Sequence, residues 1–304
     1  MIEQHLFARK STPPPPAVIK GEYKALDGAA IVRTAQVGGV INDKLYIFGG
    51  SHSALNSVME VYDLATGKWS TLTTTGTPTP RHSSASCILN GKLYVFGGST
   101  TAAWAPTVEA YVFDPTTLAW TKLASMPAAL CLQSAVTING KIYLFAGFNG
   151  NSSITNFYEY NPASNSYQAI SHSQVGQHGH KAVAINGRMY VVGGVATTTM
   201  LNRCVSYDPV SNTWATHAPS PLGNTYTFTA TLDGYLYMFG GSRNTDTTTH
   251  NNLYRYDPVT NTWAELPTGA IPMYFGIMIA LADRLLLQGG RNATTLFNTL
   301  WEIT

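Results

Sequence analysis

A pair of small residues returns at nearly constant intervals along the chain. Each pair follows a short apolar run, and it is Gly-Gly in five copies and Ala146-Gly147 in one. The pairs begin at Gly49, Gly97, Ala146, Gly193, Gly240 and Gly289, so successive copies lie 48, 49, 47, 47 and 49 residues apart. A constant period of about 20–50 residues is the sequence signature of folds built from repeated supersecondary units. The chain therefore predicts six equivalent units rather than several unrelated domains.

The residues around each pair predict an antiparallel hairpin. The pair ends a strand rich in aromatic and β-branched residues, as in Lys44–Phe48 and Lys92–Phe96, and such residues favour strands. Just before this strand lie Asn42-Asp43, Asn90-Gly91, Asn139-Gly140, Asn186-Gly187, Asp233-Gly234 and Ala282-Asp283. Asn-Gly and Asp-Gly favour two-residue turns in which both residues have positive φ. The first two strands of each unit, a and b, are therefore expected to pair through a tight turn.

Two further strands follow in each unit. A third strand, c, alternates with period two in segments such as Ala110–Asp114 and Leu253–Asp257. The turn after it carries Asp-Pro or Asn-Pro in four units, and proline presets φ at such a turn. A fourth strand, d, opens near an aromatic residue in five units: Trp69, Trp120, Tyr167, Trp214 and Trp263. Each unit is thus expected to be a four-stranded antiparallel sheet.

The diglycine, the Tyr-rich third strand and the late Trp recur together in this order, and in that combination the unit resembles the kelch repeat. The resemblance covers about Glu22 to Ile303, nearly all of the chain. Kelch repeats form the blades of β-propellers around a central channel. The resemblance implies an all-β, six-bladed propeller over residues 18–304, preceded by a Pro-rich tail over residues 1–17.

The last unit ends without a strand d. Its strand c is expected at Asn298–Ile303, at the end of the sequence. A matching segment lies at the other end, because Glu22–Leu26 has the same character as Lys68–Leu72 and Thr262–Leu266. We expect this amino-terminal strand to complete the sixth blade, so that the ring has no open edge. Removal of residues 18–27 is then expected to destabilise the whole protein.

Composition disfavours several classes of function. Charged residues make up 11% of the chain and the net charge is +2, so no basic stripe is expected for nucleic acid. No run approaches the roughly 20 apolar residues of a membrane-spanning helix. The three cysteines, Cys87, Cys131 and Cys204, have no CxxC spacing and are odd in number, which favours buried free thiols over a zinc site or disulfides. No metal and no cofactor is predicted.

Candidate ligand-binding residues lie at the start of each strand a. The residue sixteen positions before each pair is Arg33, Arg81, Leu130, Gln177, Asn224 or Met273. Arg33 and Arg81 are candidates for a carboxylate ligand at the channel mouth, with Gln177 and Asn224 beside it; the alternative is local pairing. His82 and His178 lie near strand starts and are further ligand-binding candidates at the channel mouth. His180 also lies near a strand start, but nothing in the sequence predicts that the three histidines converge on a metal.

Some kelch propellers are enzymes, and the resemblance implies two kinds to consider. Copper radical oxidases have seven blades and a Tyr–Cys crosslink, from which this chain departs. For a sialic-acid mutarotase one expects a channel arginine with a carboxylate; Arg33 and Arg81 are available, but Glu60 and Glu109 fit surface or blade-packing roles better. We therefore predict no catalytic residues and keep a sugar-modifying enzyme as an alternative.

The loops after the small-residue pairs are the other candidate site. They are expected on one face and are rich in Thr, Asn, Ser and Gly, with isolated apolar residues at Trp104, Phe148, Met200 and Phe297. Polar loops around aromatic anchors suit recognition of a protein or a glycan. The alternative is that the loops are solvated connectors.

The segment before the propeller contains Ser11-Thr12 and four prolines, which predicts an extended spacer. Ile2, Leu6 and Phe7 are candidate apolar contacts with another subunit of a larger assembly. The charge-poor surface, the absence of a secretory signal and this anchor are similar to those of phage tail, collar or fibre proteins. We expect a virion component made in the host cytoplasm and displaying its loops toward a host-surface glycan or protein. A cytoplasmic adaptor is the alternative.

Overall fold

The structure, a computed structural model, describes residues 19–243, 248–269 and 271–304. The predicted tail over residues 1–17, including the predicted anchors Ile2, Leu6 and Phe7, lies outside the described residues. The described residues form six four-stranded antiparallel sheets, which are the blades of a β-propeller. No helix long and apolar enough to cross a membrane occurs among them.

The strands follow the order predicted for each unit. β1 (Tyr23–Leu26) comes first in the chain and belongs to the last blade. Blades 1 to 3 contain β2 (Val37–Ile41), β3 (Lys44–Phe48), β4 (Met59–Asp63), β5 (Lys68–Leu72), β6 (Ala85–Leu89), β7 (Lys92–Phe96), β8 (Ala110–Asp114), β9 (Ala119–Lys122), β10 (Ser134–Ile138), β11 (Lys141–Phe145), β12 (Phe157–Asn161) and β13 (Ser166–Ala169).

Blades 4 to 6 and their loops continue the series. They contain β14 (Lys181–Ile185), β15 (Arg188–Val192), β16 (Val195–Ala196), β17 (Thr199–Met200), β18 (Cys204–Asp208), β19 (Thr213–His217), β20 (Phe228–Leu232), β21 (Tyr235–Phe239), β22 (Ser242–Arg243), β23 (Thr248–Thr249), β24 (Leu253–Asp257), β25 (Thr262–Leu266), β26 (Ile277–Ala280), β27 (Leu285–Gln288) and β28 (Leu300–Ile303). Two short hairpins, β16–β17 and β22–β23, lie in the loops after strand b of blades 4 and 5.

The first and last strands of the chain close the ring, as predicted. β1 pairs antiparallel with β28 in the register Tyr23 to Ile303 and Leu26 to Leu300. The contact extends beyond the strands, because the Lys20 N–H donates to the Thr304 carbonyl at 2.9 Å. The sixth blade therefore combines three strands from one end of the chain with one from the other.

Five of the six a–b turns have the predicted geometry. Asn90 and Gly91, for example, have φ of 51° and 69°, so both central residues are left-handed. Ala282 and Asp283 are not among the described residues with positive φ. Blade 6 instead connects β26 to β27 through four residues, with the Leu281 N–H donating to the Arg284 carbonyl at 2.8 Å.

The hydrophobic core is divided among the six interfaces between neighbouring blades. In β3, Tyr46 and Phe48 pack against blade 2, whereas Leu45 and Ile47 pack against blade 6. The alternation follows from the period-two geometry of a strand. Each strand b is therefore apolar on both sides, because each side faces another sheet.

The diglycines let neighbouring blades approach closely. A Cβ on Gly49 would lie 2.7 Å from the Arg81 carbonyl oxygen of the next blade. Gly49 and Gly50 have φ of 70° and 88°, and the Gly50 N–H donates to that same carbonyl at 2.8 Å. Larger residues would separate the blades and break this hydrogen bond.

Six backbone hydrogen bonds form a closed circle around the channel. One residue of each blade, just before strand a, donates its N–H to the carbonyl of the equivalent residue in the preceding blade at 2.7–3.0 Å. All six residues have φ between 54° and 64°. They are Ala35, Ser83, Leu132, Gly179, Tyr226 and Phe275. We call this circle the backbone ring; it lies at the loop face, the face that carries the loops after strand b.

Candidate functional site

A concave apolar surface lies on the loop face above the backbone ring. We call it the aromatic groove, and its main part has a volume of about 340 Å³. Its walls include Trp104, Leu132, Phe148, His178, Met200 and Tyr226. A second part of about 220 Å³ shares Trp104 and reaches toward Phe275 and Arg291. The groove thus spans loops from several blades.

Trp104 forms the wall shared by both parts of the groove. It has φ of 57°, a left-handed conformation that is uncommon for a bulky residue. Its ring meets the His82 ring edge-on at 4.9 Å between centroids. His82 is held from below, because Nδ1 lies 3.0 Å from Ser83 Oγ and Nε2 lies 3.3 Å from the Thr101 carbonyl. His82 therefore supports the position of Trp104.

Phe148 of blade 3 and His178 of blade 4 form a second aromatic–histidine pair in the groove. Their ring centroids are 5.0 Å apart, and His178 Nδ1 lies 2.8 Å from Ser153 Oγ. Burial lowers the pKa of His178 to about 4. The imidazole is consequently neutral near pH 7, and it adds no charge to the groove.

Met200 reaches the groove from the short hairpin β16–β17. Val195 pairs with Met200 in this hairpin, and both residues line the groove. The structure therefore brings together three of the predicted loop anchors, Trp104, Phe148 and Met200. The fourth, Phe297, packs against the core between blades 5 and 6 and does not line the groove.

Tyr226 and Leu132 complete the groove, and neither was predicted. Both belong to the backbone ring, and Tyr226 stacks on Phe275 with centroids 3.9 Å apart. A sequence signal exists for them: both lie fourteen residues before a small-residue pair, at equivalent positions of their units. The aromatic residues at this position mark the floor of the groove.

Arg33 and Arg81 lie below the surface in intramolecular ion pairs. Arg33 is fully buried, pairs with Glu60, and donates through Nη1 to the carbonyls of Gly49 and Val58, both at 3.0 Å. Arg81 Nη2 lies 2.8 Å from Glu109 Oε2, and its Nη1 donates to the Gly97 carbonyl at 3.2 Å. Neither arginine lines the groove. Local pairing, the alternative raised by the sequence, describes these contacts, and Glu60 is a blade-packing residue.

Gln177 and Asn224 occupy the same position in blades 4 and 5 and are also buried. Asn224 Nδ2 donates to the Gly240 carbonyl at 2.9 Å, which matches the bonds of Arg33 and Arg81 to their diglycines. Neither amide atom of Gln177 has a hydrogen-bond partner among the described residues. Ligand binding by the residues predicted at this position stays a prediction.

The cysteine prediction is confirmed for two residues. All three cysteines are free thiols, with Cys131 and Cys204 buried and Cys87 partly exposed. Burial raises the pKa of each thiol to about 12, so all three are protonated at neutral pH. Within the part of the chain that the structure describes, no three His, Cys, Asp or Glu residues cluster as a metal site.

The blades and the recessed groove define a β-propeller with a concave surface on one face. The chain belongs to the kelch-repeat family: residues 35–223 match the KLHDC2/KLHL20/DRC7 Kelch-repeats domain, and residues 225–269 match the Kelch motif. No curated protein sequence matches the chain significantly. Kelch propellers generally serve as protein-interaction domains.

Proposed function

We propose that this protein is a non-catalytic recognition module that binds a protein partner in the aromatic groove. One observation carries the proposal: Trp104, Phe148 and Met200 come from the loops of three different blades and line one concave surface. The occupant that suits this surface is an apolar or aromatic side chain of the partner.

The properties of the groove support an apolar occupant. Interface residues that contribute most to affinity are commonly aromatic, lie in concave surfaces and lose their water on binding. His178 is neutral at pH 7 and no carboxylate lines the main part of the groove, as far as the described residues extend. The backbone ring under Leu132 and Tyr226 holds the floor in place, so little conformational entropy is lost on binding.

A peptide selection tests this proposal. A random peptide library is selected on the immobilised full chain, and the affinity of the selected peptides is measured by isothermal titration calorimetry. Trp104→Ala is expected to weaken binding by about 30-fold or more, as for a residue at the centre of an interface. Met200→Ala is expected to weaken it less. Val210→Ala is the matched control, because Val210 is 87% exposed at the outer edge of blade 4.

Two results would overturn the proposal. One is selected peptides that bind Trp104→Ala as tightly as the unmodified chain, provided that thermal unfolding shows the variant folded. The other is specific binding on a glycan array that Trp104→Ala abolishes, with no peptide selected, because the partner would then be a glycan.

We further propose that the protein is a virion component, as the sequence predicts, and that residues 1–17 attach it to the particle. Support comes from the low charge content and from the Pro-rich segment. Immunoblots of purified particles are expected to contain the full chain and to lack a variant in which Ile2, Leu6 and Phe7 are changed to alanine. Absence of the full chain from purified particles would contradict this setting, while leaving the groove proposal unaffected.

A further inference from the structure

The central channel widens below the backbone ring into a cavity of about 140 Å³. This is far more than the roughly 10–15 Å³ that one water molecule requires. The cavity shares Ser86, Ala135, Ala182 and Met278 with a wider opening of about 450 Å³. That opening lies toward the face of the a–b turns, so the cavity is reached from the side opposite the aromatic groove.

Lys181 is the first residue of β14, and it lines this cavity. The other five strands a begin with uncharged residues: Val37, Ala85, Ser134, Phe228 and Ile277. A lysine here is not needed to build a blade, because five blades form without one. Lys181 thus puts a charged residue at a channel-lining position that is uncharged in the other five blades.

The ammonium group of Lys181 has no carboxylate partner among the described residues. Among the described residues that line the cavity, its extension under the ring and the wide opening, no Asp, Glu or Arg occurs. The cationic neighbours reinforce this, because Arg203 and Lys181, after burial itself, lower the pKa of buried His180. An uncompensated charge in such a place attracts an anion.

Other residues that line the cavity supply a hydrogen-bond donor and an apolar surface. Thr229 Oγ1 is buried on the cavity wall and has no hydrogen-bond partner among the described residues. Ala135, Ala182 and Met278, from the first strands of blades 3, 4 and 6, supply apolar surface where the cavity meets the wide opening. A ligand that suits both parts has an anionic oxygen-bearing head and a short hydrocarbon tail.

We propose that the channel binds a small aliphatic monocarboxylate, with its carboxylate at Lys181 Nζ and Thr229 Oγ1 and its alkyl chain against Ala135, Ala182 and Met278. One ammonium group matches one negative charge. The site is separate from the aromatic groove and is independent of what that groove binds.

Binding should depend on pH through Lys181. Burial lowers the pKa of Lys181 to about 8, so the free protein carries the ammonium at pH 6.5 and loses it by pH 9.5. His180 and Cys87 also line the channel, with pKa values of about 3 and about 12, and Tyr226 lines its extension under the backbone ring. His180 and Cys87 are neutral throughout this range, which leaves Lys181 as the lining residue whose positive charge is lost.

Thermal unfolding of the full chain in propionate, butyrate, chloride and phosphate, at one ionic strength, tests the proposal. Propionate and butyrate are expected to raise the midpoint by about 2–4 °C at pH 6.5 relative to chloride. Lys181→Met should abolish this rise. Lys68→Met, which removes an exposed lysine from β5, should retain it. Titration of 13C-labelled propionate followed by NMR measures the binding directly.

Each remaining outcome counts against the proposal. An equal rise in Lys181→Met and the unmodified chain, or no rise with either carboxylate, overturns it. A rise with phosphate alone overturns the assignment to a carboxylate. If Lys181→Met fails to fold, the unmodified chain still decides, because a carboxylate effect that is the same at pH 6.5 and pH 9.5 contradicts a role for the ammonium.

Discussion

Blades 1 and 2 and blade 4 share one backbone plan but treat buried charge in opposite ways. In blades 1 and 2 the buried cations Arg33 and Arg81 each pair with a carboxylate, Glu60 or Glu109. In blade 4 the equivalent residue is Gln177. Neither it nor the buried groups of His180 and Arg203 in the same blade has a carboxylate partner among the described residues. Both ring nitrogens of His180 and two guanidinium nitrogens of Arg203 are buried without a hydrogen-bond partner among the described residues.

This comparison shows that a buried cation at this position is not required for a blade to fold. Leu130 and Met273 occupy the arginine position in blades 3 and 6, so a blade forms there with an apolar side chain. Where a cation is present, a carboxylate offsets the free energy that its burial costs. Blade 4 contains buried basic groups without a paired carboxylate. Such groups are more typical of functional sites than of residues that only stabilise a fold.

The largest expected effect comes from breaking the most buried pair. Glu60→Leu leaves the Arg33 guanidinium buried without its carboxylate, and both side chains are at most 1% exposed. We expect a loss of about 3–5 kcal/mol in the free energy of unfolding, measured by urea denaturation. The double variant Arg33→Met with Glu60→Leu should recover much of it. Equal losses in the single and double variants would show that the pair is not the source.

An acid titration should distinguish blade 4 from blades 1 and 2. Burial lowers the pKa of His180 to about 3 from 6.5. Below pH 6.5 the unfolded chain therefore binds more protons than the folded chain, and stability falls as the pH drops toward 3, by on the order of 3 kcal/mol. His180→Leu should make this part of the curve shallower, measured by urea denaturation between pH 7 and pH 4, with the remaining slope coming partly from His178, whose pKa burial lowers to about 4. His52→Leu, at an exposed position, should leave the slope unchanged, and a slope that is undiminished in His180→Leu would contradict the assignment.

The smallest effect is expected at the partly exposed pair of blade 2. Hydrogen bonds from Lys122 and Arg81 hold the pKa of Glu109 at about 2, below its usual 4.5. Its stabilisation is therefore present above about pH 4.5 and is lost as the pH falls toward 2. Glu109→Gln should cost about 1 kcal/mol at pH 7, because water screens the pair, and the difference from the unmodified chain should shrink at pH 2.5. A cost as large as that of Glu60→Leu would remove the distinction between the two pairs.

The fold could be predicted because its signals are local and repeated. The period of the small-residue pairs counts the blades, and the match of Glu22–Leu26 to the other strands d predicted the pairing with β28. Ala282–Asp283 departed from the turn prediction at its first position: the other five turns begin with Asn or Asp, which tolerate positive φ, whereas Ala282 does not favour it and blade 6 uses a longer connection.

The sites were predicted less well because they depend on which element a side chain faces. Alternation along a strand separates two faces, but it does not tell the channel from the neighbouring blade, so Arg33 and Arg81 were assigned to the channel mouth. Lys181 was missed because one lysine at the start of Lys181–Ile185 looks like a polar strand end. Three of the four loop anchors converge, whereas Phe297 turns toward the core, and no local pattern distinguishes it from the others.

The backbone ring makes the number of blades an all-or-none property. Each member donates to one neighbour and accepts from the other, so the dipoles of the six bonds follow one another in the same rotational sense. Gain or loss of one repeat could not be accommodated at a single interface between blades, because the angle between every pair of neighbouring blades in the ring would have to change. Substitutions are therefore easier to accommodate in the loops above the backbone ring and in the side chains below it. Binding specificity can vary there while the number of blades stays at six.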